Sequence, residues 1–598
     1  MSHYKAPLRD MQFVSHELLD MPSHYASLPG YEDVTVDVMD AIIEEGRKFS
    51  EEVLAPINHS ADEEGCHLKD GNVTTPKGYP EAYKQYVEGG WPGLNGDPEF
   101  GGQGLPGSLS IMINEMTGAC NWAWTMYPGL SNAAIQCIGK HGTVEQKDIY
   151  MEKLITGTWT GSMCLTEAHC GSDVGLLRTK AVKQADGSYT LTGSKIFISG
   201  ADHDMAENIV HMVLARVEGA PEGTAGISLF IVPKFIPDAK GNVGKRNAAN
   251  VSSLEKKMGL KGSATCVLNF DGATGFIVGA ENSGLKQMFT MMNVARVGTA
   301  LQGLAMAEPA YQAALNYAKE RLAMRSLTGA KNPAGAADPI IVHPDVRRML
   351  MTQKAFTEGY RAFLYWLIQK ADVVAKGDEA AAKEADDLMA FLTPIAKGFV
   401  TETGFECTNL ALQCFGGHGY IKEHGVEQLV RDCRISTVYE GTTGIQALDL
   451  IGRKVLGSGG ELLKKFTKLV HKLCEASKND AQLSGLATVL AEKNKEWGAL
   501  TMDVGGKAME NADEVGAASV DYLMYSGYVV LGYFWLLMAH KASEQLASGN
   551  GDADFYKAKL ATAQFYFDRL LPRTLMHAAA MRSGSANLMA LDADHFAF

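Results

Sequence analysis

Gln413-Cys414-Phe415-Gly416-Gly417-His418-Gly419-Tyr420, then Arg431-Asp432-Cys433-Arg434, then Ile435-Ser436-Thr437-Val438-Tyr439-Glu440-Gly441-Thr442-Thr443-Gly444-Ile445-Gln446 form one stretch whose reading decides the fold. Near its end the carboxylate of Glu440 sits between a tyrosine and a glycine, after an apolar run. That setting suits a partly desolvated acid. Desolvation raises a carboxyl pKa and makes the ionised form a better base. Gly441 has no side chain and lets a ligand approach the backbone closely. Taken alone, Glu440 reads more readily as a helix-capping glutamate before a turn glycine, since perturbed acids are the minority. The glycines at 416, 417 and 419 follow no strand of a βαβ unit, so a dinucleotide-binding turn is excluded.

The whole chain bounds the choices. At 598 residues it exceeds one hydrophobic core and asks for three or four domains or subdomains. A net charge of −14 argues against nonspecific binding to nucleic acid or anionic membrane. No two of the 10 cysteines are spaced as Cys-x-x-Cys, which gives neither a zinc site nor a compact disulfide framework. Reduced thiols in a cytoplasmic protein are expected, with no metal. The first residues carry no apolar signal segment, and His595-Phe596-Ala597-Phe598 is not a peroxisomal address. Tyr522 to Ala539 is uncharged and barely long enough to span a bilayer, but it holds four tyrosines, a serine and two glycines. A buried helix is expected there.

Along the chain, residues 1–35 read as a short irregular arm that packs on something. Residues 36–158 read as helical. Val38, Met39, Ile42, Ile43, Phe49, Val53 and Leu54 recur at helical spacing, and Pro56 is expected to break that run. Gly89 to Pro106 is dense in Gly and Pro and reads as loop. Residues 159–280 carry β-branched runs bounded by Gly or Pro, at 189–193, 209–215 and 227–232, and read as a β domain. Residues 281–458 return to helical periodicity. Gly457-Ser458-Gly459-Gly460 looks like a linker, and 459–598 form an additional helical region. The fold class expected is α+β, mainly α.

The stretch from Gln413 to Thr442 resembles the C-terminal signature of the acyl-CoA dehydrogenase family, with every part in order. Pro98-Glu99-Phe100-Gly101-Gly102-Gln103-Gly104 is similar to that family's Pro-Glu loop, with the glycines one residue early. Thr166-Glu167-Ala168-His169-Cys170-Gly171-Ser172-Asp173 resembles its flavin loop, with Ala168 in place of proline. Gly193-Ser194-Lys195-Ile196-Phe197-Ile198-Ser199-Gly200 resembles its flavin-side strand, with Gly200 directly after the serine. The resemblance covers roughly residues 36–456; the arm and the last region match only the longer bacterial members.

The resemblance implies a helical N-terminal domain, a middle β domain and a C-terminal four-helix bundle, followed here by the extra helical domain. It implies FAD, which accepts a hydride that no side chain can accept. Glu440 is then the catalytic base. A minority of the family places the base just before an arginine on an earlier helix. That position is Ala295 here, and no acid lies between Glu281 and Glu308. Met163, Leu165 and Thr166 would face the flavin ring. Phe197 would stack near it, Ser199 would bond its reactive nitrogen, and Thr442 would touch it beside the base. Ser172 would meet diphosphate or the CoA arm. Arg321, Gln413, Gly416 and Gly417 would reach the FAD of a neighbouring subunit, implying a homo-oligomer, as a dimer. Arg296 and Gly441 would lie near substrate. Gly444, His343-Pro344 and Gly452 depart from side chains that shorter members use on FAD and CoA.

The partners implied are an acyl-CoA substrate and electron transfer flavoprotein. Likeness to the longer members narrows the expected substrate to 3-methylmercaptopropionyl-CoA, and hence to dimethylsulfoniopropionate degradation. A short- or medium-chain fatty acyl-CoA is the alternative. An oxidase on the same fold is a further reading. So is a flavin-containing DNA-binding branch, which electrostatics disfavours, since residues 461–598 hold 14 Lys and Arg against 16 Asp and Glu.

Overall fold

The fold is described from a computed structural model, over residues 4–549 and 551–597. It divides into two compact units. One is Asp40–Gly298; the other joins the chain up to Met39 with everything from Thr299 onward.

In the Asp40–Gly298 unit, helices Ala55–Glu64, Tyr79–Glu88, Gly107–His141 and Val144–Ile155 precede a sheet. Pro56 does not end the first run, contrary to the sequence reading. A π-type stretch, Phe49–Leu54, lies directly before it, and Pro56 falls at the first turn of Ala55–Glu64. Proline is tolerated there because the backbone N–H it lacks has no helical partner anyway. Gly107–His141 bends at Asn121, whose backbone is non-helical (φ −160°, ψ 85°). The Asn121 Oδ1 accepts from Tyr79 Oη at 3.0 Å and from the Trp124 N–H at 3.1 Å, which restores bonding lost at the bend. A capping box of Thr143 and Gln146 starts Val144–Ile155.

A small hairpin, β1 (His67–Lys69) and β2 (Asn72–Thr74), stands apart from a seven-stranded sheet. The sheet strands are β3 (Trp159–Cys164), β4 (Lys180–Lys183), β5 (Tyr189–Ser199), β6 (Asn208–Val217), β7 (Ile227–Pro233), β8 (Ala249–Leu254) and β9 (Thr265–Ile277). Pairing runs β3-β6-β4-β5-β9-β7, and β7 also pairs with β6, so the strands close on themselves. β6 is buried on both faces through Ala215 and β7 throughout, which is why both read as continuous apolar runs. Val210, Met212 and Leu214 of β6 join Ile227, Leu229 and Ile231 of β7 in a core with Cys137, Ile138, Leu154 and Trp159.

The other unit is helical. Gly284–Glu320 enters it, followed by Pro344–Lys376, Glu379–Phe415 and, after the signature stretch, Asp513–Ser548. Close approach depends on small residues. A Cβ on Gly404 would fall 2.7 Å from the Gly303 carbonyl oxygen, and one on Gly527 would overlap the Phe399 ring. Phe399 meets Tyr528 edge-on at 4.9 Å, and Trp535 Nε1 donates to the Ala355 carbonyl at 2.9 Å. The region after Gly460 therefore shares a core with the helices before it. Gly459 and Gly460, both at positive φ, turn the chain directly into helix Glu461–Ser477. Asp513–Ser548 is the one helix among the described residues long and apolar enough to cross a membrane, and 89% of its apolar window is buried.

The arm is helical rather than irregular, in the pieces Leu8–Gln12, Phe13–Leu18 and Met21–Ala26. Pieces this short have no stability of their own in water; packing makes them. Phe13 meets Phe555 at 5.4 Å, the Arg9 guanidinium lies 4.0 Å over that ring, and Gln369 Nε2 donates to the Leu19 carbonyl at 3.1 Å.

Candidate active site

Glu440 lies in a tight turn between the short helical segment Ile435–Thr437 and helix Thr443–Leu448. Its backbone φ is +56°, and that of Gly441 is +86°. For a non-glycine residue the left-handed region costs about 1–2 kcal/mol, so the surrounding structure must enforce it. Three bonds do so. Gln446 Nε2 donates to the Glu440 carbonyl at 3.0 Å. Tyr439 Oη donates to Gln302 Oε1, whose own Nε2 donates to the Asp432 carbonyl at 2.9 Å. Thr442 Oγ1 caps the next helix, accepting from the Ile445 N–H at 3.3 Å. Thr443 Oγ1 donates to Glu402 Oε1 at 2.5 Å. Glu440 is half-buried, which leaves its carboxylate partly desolvated yet reachable.

The same unit brings together Arg321, Gln413, Gly416 and Gly417. Tyr317, one turn before Arg321, stacks on Phe415 at 4.2 Å, and Tyr317 Oη bonds His418 Nδ1 at 2.8 Å. All four residues are exposed, and a Cβ at Gly416 or Gly417 would meet nothing within 4 Å. Tyr420 and Met324, 82% and 80% exposed, are also at the surface.

In the other unit, Met163 is the penultimate residue of β3, Leu165 and Thr166 follow its end, and Phe197 and Ser199 lie at the end of β5. The Ile196 N–H donates to the Thr166 carbonyl at 2.9 Å, which ties the two segments together. A bulge between Lys195 and Ile198 puts Phe197 at φ +59° and leaves the residue 58% exposed. Ser172 lies on an exposed turn that Asp173 caps, its Oδ1 accepting from the Gly175 N–H at 3.2 Å. Arg296 is buried on helix Gly284–Glu320.

Beneath these segments lies a pair that the sequence reading passed over. Lys195, fully buried, donates to Glu167 Oε1 at 2.8 Å and to the Leu165 carbonyl at 2.9 Å. Glu167 also accepts from the Arg178 and Thr179 N–H groups and from Thr179 Oγ1. Burial alone would raise the Glu167 carboxyl, but Lys195 and these donors hold it down at about 2. Burial pushes the Lys195 ammonium below its ordinary value. The signal in the sequence was one charge of each sign, each set among uncharged neighbours, in two motifs that residues 174–192 separate. Gln446 and Gln302 left no comparable signal.

The sequence matches the acyl-CoA dehydrogenase N-terminal domain over residues 38–158, the middle domain over 162–273 and the C-terminal domain over 282–456. Residues 466–592 match the acetyl-CoA dehydrogenase C-terminal-like domain. The chain belongs to the acyl-CoA dehydrogenase family. Within that family, a 3-methylmercaptopropionyl-CoA dehydrogenase of Ruegeria pomeroyi is 42% identical over 569 residues, covering 95% of this chain and 96% of its own. A broad-specificity linear acyl-CoA dehydrogenase of Mycobacterium tuberculosis is 34% identical, with 99% of each chain covered. The crystal structure of an acyl-CoA dehydrogenase of Bacillus anthracis complexed with FAD shares the fold, at a TM-score of 0.74 and 22% identity over 93% of this chain and 89% of that one. An acyl-CoA dehydrogenase architecture thus extends over the helical N-terminal part, the β domain, the helical bundle and the extra C-terminal helices.

Proposed function

We propose that this protein dehydrogenates an acyl-CoA thioester between its α and β carbons, with Glu440 as the base. The observation that carries the reading is the turn at Glu440, a half-buried carboxylate on a strained backbone next to a glycine. Glu440 takes the α proton, the Cα–H electron pair becomes the new C=C bond, and the β hydrogen leaves as hydride. The cofactor is FAD, which when bound accepts that hydride. The residues fit a planar ring system: Phe197 presents an open aromatic face, and Gly416 and Gly417 leave backbone uncovered.

Met163, Leu165, Thr166, Phe197, Ser199 and Thr442 would hold the flavin ring. Ser172 would hold diphosphate or the CoA arm. Arg321, Gln413, Gly416 and Gly417 would serve the FAD of a partner subunit in a homodimer. Arg296 and Gly441 would contact the thioester. Exclusion of water strengthens each of these contacts. Electrons would pass to electron transfer flavoprotein in the cytoplasm.

Likeness at 42% identity to a 3-methylmercaptopropionyl-CoA dehydrogenase supports that thioester as substrate and a place in dimethylsulfoniopropionate degradation. The 34% identical relative with broad specificity for linear acyl-CoAs supports short- and medium-chain thioesters as the second reading. Anaerobic mixing with butyryl-, octanoyl-, palmitoyl-, isovaleryl- and 3-methylmercaptopropionyl-CoA, followed by visible absorbance, tests the choice. The 3-methylmercaptopropionyl thioester should bleach the flavin fastest. Glu440→Gln should keep FAD and lose turnover by roughly two to four orders of magnitude. A yellow protein that no thioester bleaches overturns the reading.

A further inference from the structure

Gln446 is fully buried on the helix that follows the catalytic turn. Its Nε2 donates backward to the Glu440 carbonyl at 3.0 Å, while its Oε1 is buried without a hydrogen-bond partner. An apolar side chain of the same size would fill this space without an orphaned oxygen, so packing does not account for a glutamine. The amide is pressed against the turn: a Cβ on Gly441 would come within 2.6 Å of Nε2. From the other side Gln302, also fully buried, holds Tyr439 through its hydroxyl and the Asp432 carbonyl through its amide. Two buried amides therefore hold residues 439 and 440 at the start of a turn in which Glu440 and Gly441 are successively left-handed, a conformation in which Glu440 has no steric reason to stay.

We propose that Gln446 is a positioning residue for proton abstraction. Its N–H fixes the Glu440 peptide, and so the direction from which the carboxylate meets the α carbon. This rests on the reading of Glu440 as the base. Misplacing a reacting group by about 1 Å costs on the order of a hundredfold in rate.

The test uses holoenzyme carrying Gln446→Met, which keeps the volume and removes the donor, and Gln446→Glu, which keeps the shape and replaces the donor with an acceptor. Three quantities are read per bound FAD: the rate of anaerobic bleaching by the best thioester, the thioester Kd, and exchange of its α hydrogen in D2O against pH. Bleaching and exchange should both fall by about tenfold to a hundredfold, with Kd changed by less than about threefold and the pH profile of exchange displaced. Bleaching within about twofold of the parent in Gln446→Met overturns the proposal, as does loss of the fold in both variants, which would make the residue structural. Glu440→Gln is measured alongside. If it still bleaches, the base is misassigned; if it is dead while Gln446→Met is normal, only the positioning role fails.

Discussion

Arg361→Met should loosen the N-terminal arm far more than the loss of one ion pair at a surface would. Arg361 is fully buried and donates to Asp10 and, at 2.7 Å, to Glu308 Oε2. Lys559 donates to Asp10 and, at 2.8 Å, to Glu358 Oε2, which also receives Lys354 at its other oxygen. Three carboxylates thus face three cations, and Asp10 is the carboxylate that the arm contributes. Removing one partner of a buried pair costs about 3–5 kcal/mol. Here Lys559 still reaches Asp10, and Gln312 Nε2 still reaches Glu308 at 2.8 Å, so the low end applies. About 3 kcal/mol corresponds to roughly a hundredfold faster opening, since each 1.4 kcal/mol is tenfold. Hydrogen exchange of the amides in Phe13–Leu18, in FAD-saturated protein at pH 7, reads this directly. The network also sets an acid limb. Burial alone would raise the Asp10 carboxyl, but Lys559 and Arg361 hold it at about 2, below its ordinary 3.8. A depressed folded pKa gives stability that is complete above about pH 4 and lost as pH falls to about 2, worth about 2 kcal/mol. Exchange of the arm amides that rises less than about threefold in Arg361→Met would refute the clasp.

Lys195→Met should destabilise the β domain by about 3 kcal/mol or more, because it leaves the Glu167 carboxylate buried without its cation. The same change should move acid unfolding upward, since the Glu167 carboxyl, now held at about 2, would titrate higher and lose its contribution at a higher pH; thermal melts from pH 7 to pH 3 check both. Phe197→Gly should leave the melting temperature of the apoprotein unchanged or raise it, by up to about 1 kcal/mol of relieved strain, while FAD retention on a desalting column falls. Gly441→Ala places a Cβ 2.6 Å from Gln446 Nε2 at φ +86°, and should cost at least about 1 kcal/mol and more than tenfold in bleaching rate at unchanged FAD content.

The periodicity of apolar residues made the β strands legible, because β6 and β7 are buried on both faces and carry little but β-branched and other apolar side chains. It also marked the long helices, including the buried apolar one at Asp513–Ser548. It failed where tertiary contact outweighs propensity. The arm, held by Phe555, Gln369 and the Asp10 network, carries no pattern of its own that says helix. Pro56 misled because its effect depends on where it falls in a helix, and the π-type stretch before it cannot be read from residue types. At the site, motif residues could be named one by one. The Glu167–Lys195 pair and the Gln446 bond could not, since each joins positions whose proximity is fixed only by the folded chain.

Seven non-glycine residues among those described have positive φ. Asp20, Asp70 and Asn282 are of the residue types that tolerate it. Phe197, Leu260, Met324 and Glu440 are not, and of these four Phe197 and Glu440 fall inside motifs marked from sequence alone. In each case a regular strand or helix would aim the side chain elsewhere: a strand without the bulge would put Phe197 in the ordinary alternation, and a continuous helix would carry Glu440 around with its neighbours. Strain at these two positions is the consequence of demanding one particular direction from a ring and from a carboxylate. Buried polar contacts nearby help to hold them there: the Glu167–Lys195 pair under the Phe197 segment and the two glutamine amides around Glu440. Substitutions at those supports should therefore change how the Phe197 ring and the Glu440 carboxylate are aimed without altering either residue itself.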